Sequence, residues 1–128
     1  MLDTDIASYV IRQRPQALIA RFADNADQLC ISAITAAELL FGAEKRNSAA
    51  IARAVDQFLS RLSVLDWNHD AATHYAKLRT QLESVGTPIG NMDLLIAAHA
   101  LAAKLTLVSN NERHFSGIEG LKFENWVK

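Results

Sequence analysis

The chain has 128 residues, half of them hydrophobic and 21% charged, with a formal net charge of −1. That length and composition suit one folded domain, residues 1–128, with a proper core, and they exclude a disordered or low-complexity chain. No apolar run reaches the length of a membrane span; the near-neutral charge argues against broad electrostatic binding to nucleic acid, though 13 Lys and Arg residues leave room for a local basic patch.

Met1-Leu2 reads as a very short strand ending at Asp3, and Ile6, Tyr9 and Val10 mark a helix beginning near Asp5. Pro15 suits the first turn of a second helix with Leu18, Ile19 and Phe22 on its apolar stripe. Asp24–Asp27 is a polar break. Leu29-Cys30-Ile31 is a buried strand in which the single cysteine is a small core residue. Ser32 or Thr35 can cap the next helix, which runs to about Arg46. Ser48 starts another, with Ile51, Val55, Phe58 and Leu62 on one face. Val64-Leu65 is a third strand. His69 or Asp70 opens a helix carrying Tyr75, Leu78 and Leu82, closed by Gly86.

Pro88-Ile89-Gly90 then turns into a helix over 91–104 with Asn91 as its cap. It is apolar almost all round after Asp93, and therefore buried. Leu105–Val108 is the clearest strand, a polar loop spans 109–114, and Leu121-Lys122-Phe123 is an edge strand. Short apolar strands alternating with helices predict an α/β sandwich around a parallel sheet of four or five strands. Right-handed crossovers put every strand's carboxyl end, and any ligand site, on one edge.

Three acids fall on that edge: Asp3 after strand one, Glu38 in the first turn of the helix after strand two, and Asp93 in the first turn of the buried helix. Each has a structural use as well. Asp3 or Asp5 can cap a helix, Thr35 and Glu38 fit a capping box, and Asp93 suits a helix dipole. Their convergence points further, because clustered carboxylates repel unless a cation lies among them. Oxygen-rich sites with few nitrogens suit Mg²⁺ or Mn²⁺. A metal ion so held supports phosphodiester hydrolysis.

The stretches Met1–Asp5, Cys30–Ala43, Pro88–Ala97 and Leu107–Asn111, with the tail Gly120–Trp126, resemble in order the PIN-domain ribonucleases, and most of all the VapC toxins of VapBC toxin–antitoxin pairs. The resemblance implies a Mg²⁺-dependent endoribonuclease, homodimeric, and inhibited by a VapB-type antitoxin in a complex that can assemble further; Met1–Asp5, without the basic and apolar regions of a signal peptide, predicts an intracellular, cytoplasmic protein. It also implies tRNA, often the initiator, as the substrate. Asp3 and Asp93 match the family's metal ligands, Glu38 a ligand through water or a proton handler, and Thr4 a residue orienting Asp3. Asn91, Ser109, Asn110, Asn111, Glu112 and His114 surround them.

Two departures stand out. Asp5 occupies a position where the family usually has Asn. Asn110 and Asn111 stand where it has a fourth acid, while Glu112 is nearby and His114 falls where close relatives often carry an acid. A second metal ion is therefore left open. Arg12, Arg14, Lys45 and Arg46 are candidates for an RNA-binding rim. His99 reads as a hydrogen-bonded core residue, and Trp67, Trp126 and Phe115 as packing residues. Two other functions fit the same residues. One is a haloacid-dehalogenase-like phosphatase using Asp3 and Asp5, although Ala7 stands where it needs a hydroxyl. The other is a PIN-like binding module that has lost catalysis.

Overall fold

A computed structural model describes residues 1–127. In chain order these are α1 (Thr4–Ile11), α2 (Gln16–Asn25), a 3₁₀ turn (Ala26–Gln28), β1 (Cys30–Ser32), α3 (Ala33–Arg46), α4 (Ala49–Ser60), β2 (Ser63–Leu65), α5 (His69–Ser84), α6 (Asn91–Ala103), β3 (Leu107–Val108), α7 (Glu112–Phe115) and β4 (Phe123–Glu124). β1 pairs with β2 and β3 with β4, both parallel. The extended N-terminus joins the two pairs. Leu2 donates its N–H to Cys30, Asp3 donates to Val108, and Val108 donates back to Met1, at 2.8–3.0 Å. The order across the sheet is thus β2, β1, N-terminal segment, β3, β4, as an α/β sandwich requires.

Because side chains alternate along extended backbone, successive strand residues feed opposite cores. Leu2, Ile31 and Val108 pack with Ile6, Leu18, Phe22, Leu39 and Phe58. Met1, Cys30 and Leu107 pack on the other face with Leu94, Ile96, Ala97 and Phe115. The α6 helix is buried at Leu94 and from Ile96 to Ala100, in keeping with its all-round apolar sequence. His99 is buried there at 3% exposure, with Nδ1 2.7 Å from the Ser32 hydroxyl, and its burial lowers its pKa. Trp126 and Phe115 are buried, and Trp67 donates its indole N–H to the Leu95 carbonyl at 3.0 Å. Among the described residues no helix is long and apolar enough to cross a membrane.

Several boundaries differ from the sequence expectation. The first strand is reduced to a single bridge at Leu2, since helix α1 starts at Thr4 with Asp3 as its cap. Helix α2 runs into the expected polar break as far as Asn25, and the 3₁₀ turn covers the rest of it. Ser32, not Thr35, caps α3, because its hydroxyl lies at the strand end and accepts the Ile34 N–H at 3.1 Å. The helix therefore begins earlier, and Glu38 sits in its second turn with no capping box. Asn68 caps α5 by accepting the Ala71 N–H. Asn91 is the first residue of α6 rather than its cap; Gly90 holds the cap position without a side-chain bond. β3 keeps only two of the four expected residues and β4 is shifted to Phe123–Glu124. The expected loop 109–114 contains the one-turn helix α7, pinned by fully buried Phe115.

Candidate active site

Asp3 is the centre of the sheet's carboxyl edge. Its backbone is fixed by the Val108 carbonyl, and its carboxylate accepts the Ile6 N–H at 2.9 Å as the cap of α1. Only 2% of the residue is exposed. Burial raises its pKa from an ordinary 3.8 to about 6, against hydrogen bonds from the Ser109 hydroxyl and the Ile6 N–H that lower it. The charges of Asp5 and Asp93 push in the same direction as burial. Asp93 is therefore within electrostatic reach of Asp3, brought there from the first turn of α6. Asp5 is exposed on α1.

Glu38 is held differently. The Thr4 hydroxyl lies 2.5 Å from Glu38 Oε1 and 3.2 Å from the Thr35 hydroxyl. Thr4 thus fixes Glu38 and not Asp3, correcting the role expected for it, while Ser109 takes the part of holding Asp3. Ser109 is itself fully buried and accepts the Asn111 N–H at 2.9 Å. Asn110 donates to the Tyr9 hydroxyl at 3.3 Å, tying the loop after β3 to α1. Glu112 accepts from Asn125 at 3.2 Å. Asn91 is exposed and makes no cap.

His114 completes the edge. Its Nδ1 lies 3.0 Å from Asp93 Oδ2 and 2.8 Å from the Asn111 amide nitrogen position. One ring nitrogen carries at most one hydrogen. Facing the Asp93 carboxylate it donates, and with the Asn111 amide turned so that its oxygen faces the ring, the two acceptors share that one hydrogen. This pairing joins residues 21 apart in sequence, and no local pattern announces it.

Among the described residues, no three His, Cys, Asp or Glu side chains converge as a ready-made metal cluster. The donor set still suits one hard cation. Asp3 is a buried carboxylate pressed by a second acid's charge, a situation that a cation relieves. Mg²⁺ is commonly held by one or two carboxylates while keeping several waters. Beyond Thr4 and Glu38, a groove of about 360 Å³ runs between α1, α3 and α4, floored by Leu39, Ile51 and Val55 and flanked by Arg12 and Arg46. Arg14 and Lys45 are exposed and do not line it.

The PIN-domain family model matches residues 1–121. Ribonuclease VapC2 of Haemophilus influenzae is 46% identical, over 99% of this chain and 97% of its own length. A tRNA(fMet)-specific endonuclease VapC of Salmonella typhimurium is 42% identical, over 98% and 96% of the two chains. Among solved structures, VapBC2 of Rickettsia felis bound to a promoter DNA fragment superposes with a TM-score of 0.92 at 40% identity, covering 98% of this chain and 97% of that one.

Proposed function

The chain belongs to the PIN-domain family, to its VapC ribonucleases, and from that footing we propose that it is the toxin of a VapBC-type pair, a cytoplasmic Mg²⁺-dependent endoribonuclease that cleaves tRNA. The initiator tRNA is the favoured substrate, by likeness to the Salmonella relative. Nucleases of this family depend on metal; Mg²⁺, with Mn²⁺ as a substitute, is the ion that oxygen donors favour here. Residues 1–128 act as one PIN domain, as a homodimer that pairs with a VapB-type antitoxin and assembles further with it. The phosphatase reading is not favoured, since full-length relatives are ribonucleases.

The single observation that carries this reading is the Asp3 carboxylate buried at 2% exposure on the sheet's carboxyl edge, within electrostatic reach of Asp93. Asp3 and Asp93 would hold the metal ion, which would supply a polarised water and neutralisation of the charge developing on the scissile phosphate. Ser109 and the Ile6 N–H keep Asp3 in place. Glu38, anchored by Thr4, accepts the proton of the attacking water as oxygen adds to phosphorus, and the bond to the leaving ribose oxygen breaks with solvent water protonating the departing alkoxide. Arg12 and Arg46 receive flanking phosphates along the groove.

The test is RNA cleavage by Asp93→Asn and Asp3→Asn. Both variants fold and both lose Mg²⁺-dependent cleavage. Wild-type rates in either would remove that residue from the site.

A further inference from the structure

The contact between His114 and Asp93 has a consequence for how the metal is held. His114 sits on α7, a one-turn helix anchored by buried Phe115, whose ring meets the imidazole edge-on at 6.4 Å between centroids. With Nδ1–H directed at Asp93 Oδ2, that oxygen already accepts one hydrogen bond, and a cation binding there would have to share it. Nε2 makes no hydrogen bond to any described residue.

We propose that His114 is a positioning residue for the metal site: by competing for Oδ2, it favours Asp93 as a one-oxygen ligand through Oδ1. The proposal rests on the reading of Asp93 as a metal ligand. Its chemistry is selectivity. Six-coordinate Mg²⁺ and Mn²⁺ take carboxylates through one oxygen, whereas the larger Ca²⁺ accepts two-oxygen binding and higher coordination. A hydrogen bond that competes for Oδ2 therefore disfavours two-oxygen binding of Ca²⁺ and pre-sets the carboxylate for the smaller ions. Asn111, through its contact with the same Nδ1, and Phe115, against the ring, keep the imidazole from turning away. Hydrogen-bonded partners of metal-binding groups of this kind are worth roughly 10- to 100-fold in affinity.

Two amide substitutions separate the ring's nitrogens. His114→Asn places an N–H where Nδ1 stood, and His114→Gln reaches towards Nε2. The experiment is calorimetric titration of the metal-free full chain with Mn²⁺ alone and with Ca²⁺ alone, for wild type, His114→Asn, His114→Gln, His114→Leu and Asp93→Asn. Thermal melts of each variant accompany the titrations. His114→Asn retains Mn²⁺ affinity within about 3-fold, on the ground that the key hydrogen bond survives. His114→Gln and His114→Leu lose roughly 10- to 100-fold for Mn²⁺ and less for Ca²⁺, so the preference for Mn²⁺ narrows. Full affinity in His114→Gln with loss in His114→Asn would overturn the proposal in favour of direct ligation by Nε2. Wild-type Mn²⁺ affinity in His114→Leu would overturn it outright. Wild-type affinity in Asp93→Asn would remove the ligand reading itself, a distinct failure.

Discussion

Asp3→Asn should make the metal-free protein more stable while destroying its activity. In wild type the folded pKa is about 6 against 3.8 for an unhindered aspartate. The folded state therefore binds this proton more tightly than the unfolded state does. Stability contributed at this site is highest in acid, falls as pH rises between about 4 and 6, and stays low above that. At 1.36 kcal/mol per unit, the shift amounts to roughly 3 kcal/mol at neutral pH. Exposure of only 2% leaves little solvent screening to discount.

An Asn at position 3 keeps an oxygen to accept the Ile6 N–H, but its amide nitrogen needs a new partner, which returns about 1 kcal/mol. The expected gain is about 2 kcal/mol at pH 8, vanishing near about pH 4.5 and slightly reversed below it. Urea unfolding of both proteins across that range, without divalent metal, gives the difference curve. Saturating Mg²⁺ should stabilise wild type and leave the variant unchanged. A difference curve that is flat with pH, or a variant less stable at pH 8 than at pH 4 relative to wild type, would refute the reasoning.

Other outcomes follow from the same structure. Arg12→Ala and Arg46→Ala should each weaken RNA binding and reduce the slope of log K against log salt by about 1, whereas Arg14→Ala, off the groove, should not; filter binding across a salt series checks this. Ser32→Ala removes both the α3 cap and the partner of buried His99, and should cost about 2–4 kcal/mol in denaturant unfolding. Ser48→Ala removes only a cap and should cost about 1 kcal/mol. His99 is buried with a lowered pKa, so its contribution to stability is present above 6.5 and lost as pH falls below that. The difference curve between wild type and His99→Gln should show this slope, with the opposite sign to that of Asp3.

The helices were legible because their periodicity is long enough to read: Ile51, Val55, Phe58 and Leu62 all join one core as their spacing requires. The strands were less so, because two or three residues carry almost no period. Even then Leu2, Ile31 and Val108 marked the right places. Misreadings came where two local signals competed. Ser32 and Thr35 both suit a cap, and the tertiary bond from Ser32 to His99 goes with the earlier one, moving Glu38 by a turn. Asn91 looks like a cap, but the backbone turn at Gly90 leaves its side chain outside. The polar residues of 109–114 hid a short helix whose stability comes from Phe115. Asp3 and Asp93 could be placed on one edge from topology alone. The hydroxyl of Ser109 on Asp3 and the imidazole of His114 on Asp93 could not, since both are long-range contacts without a sequence period.

The most direct test is cleavage of total tRNA by the purified chain, with and without Mg²⁺, mapping the cut ends and repeating the assay with Asp93→Asn. Discrete cuts in one or a few tRNAs, present only with Mg²⁺ and absent in the variant, are the predicted result. Intact tRNA under all conditions, or the same cuts from Asp93→Asn or in the presence of chelator, would contradict a metal-dependent nuclease site built on Asp3 and Asp93.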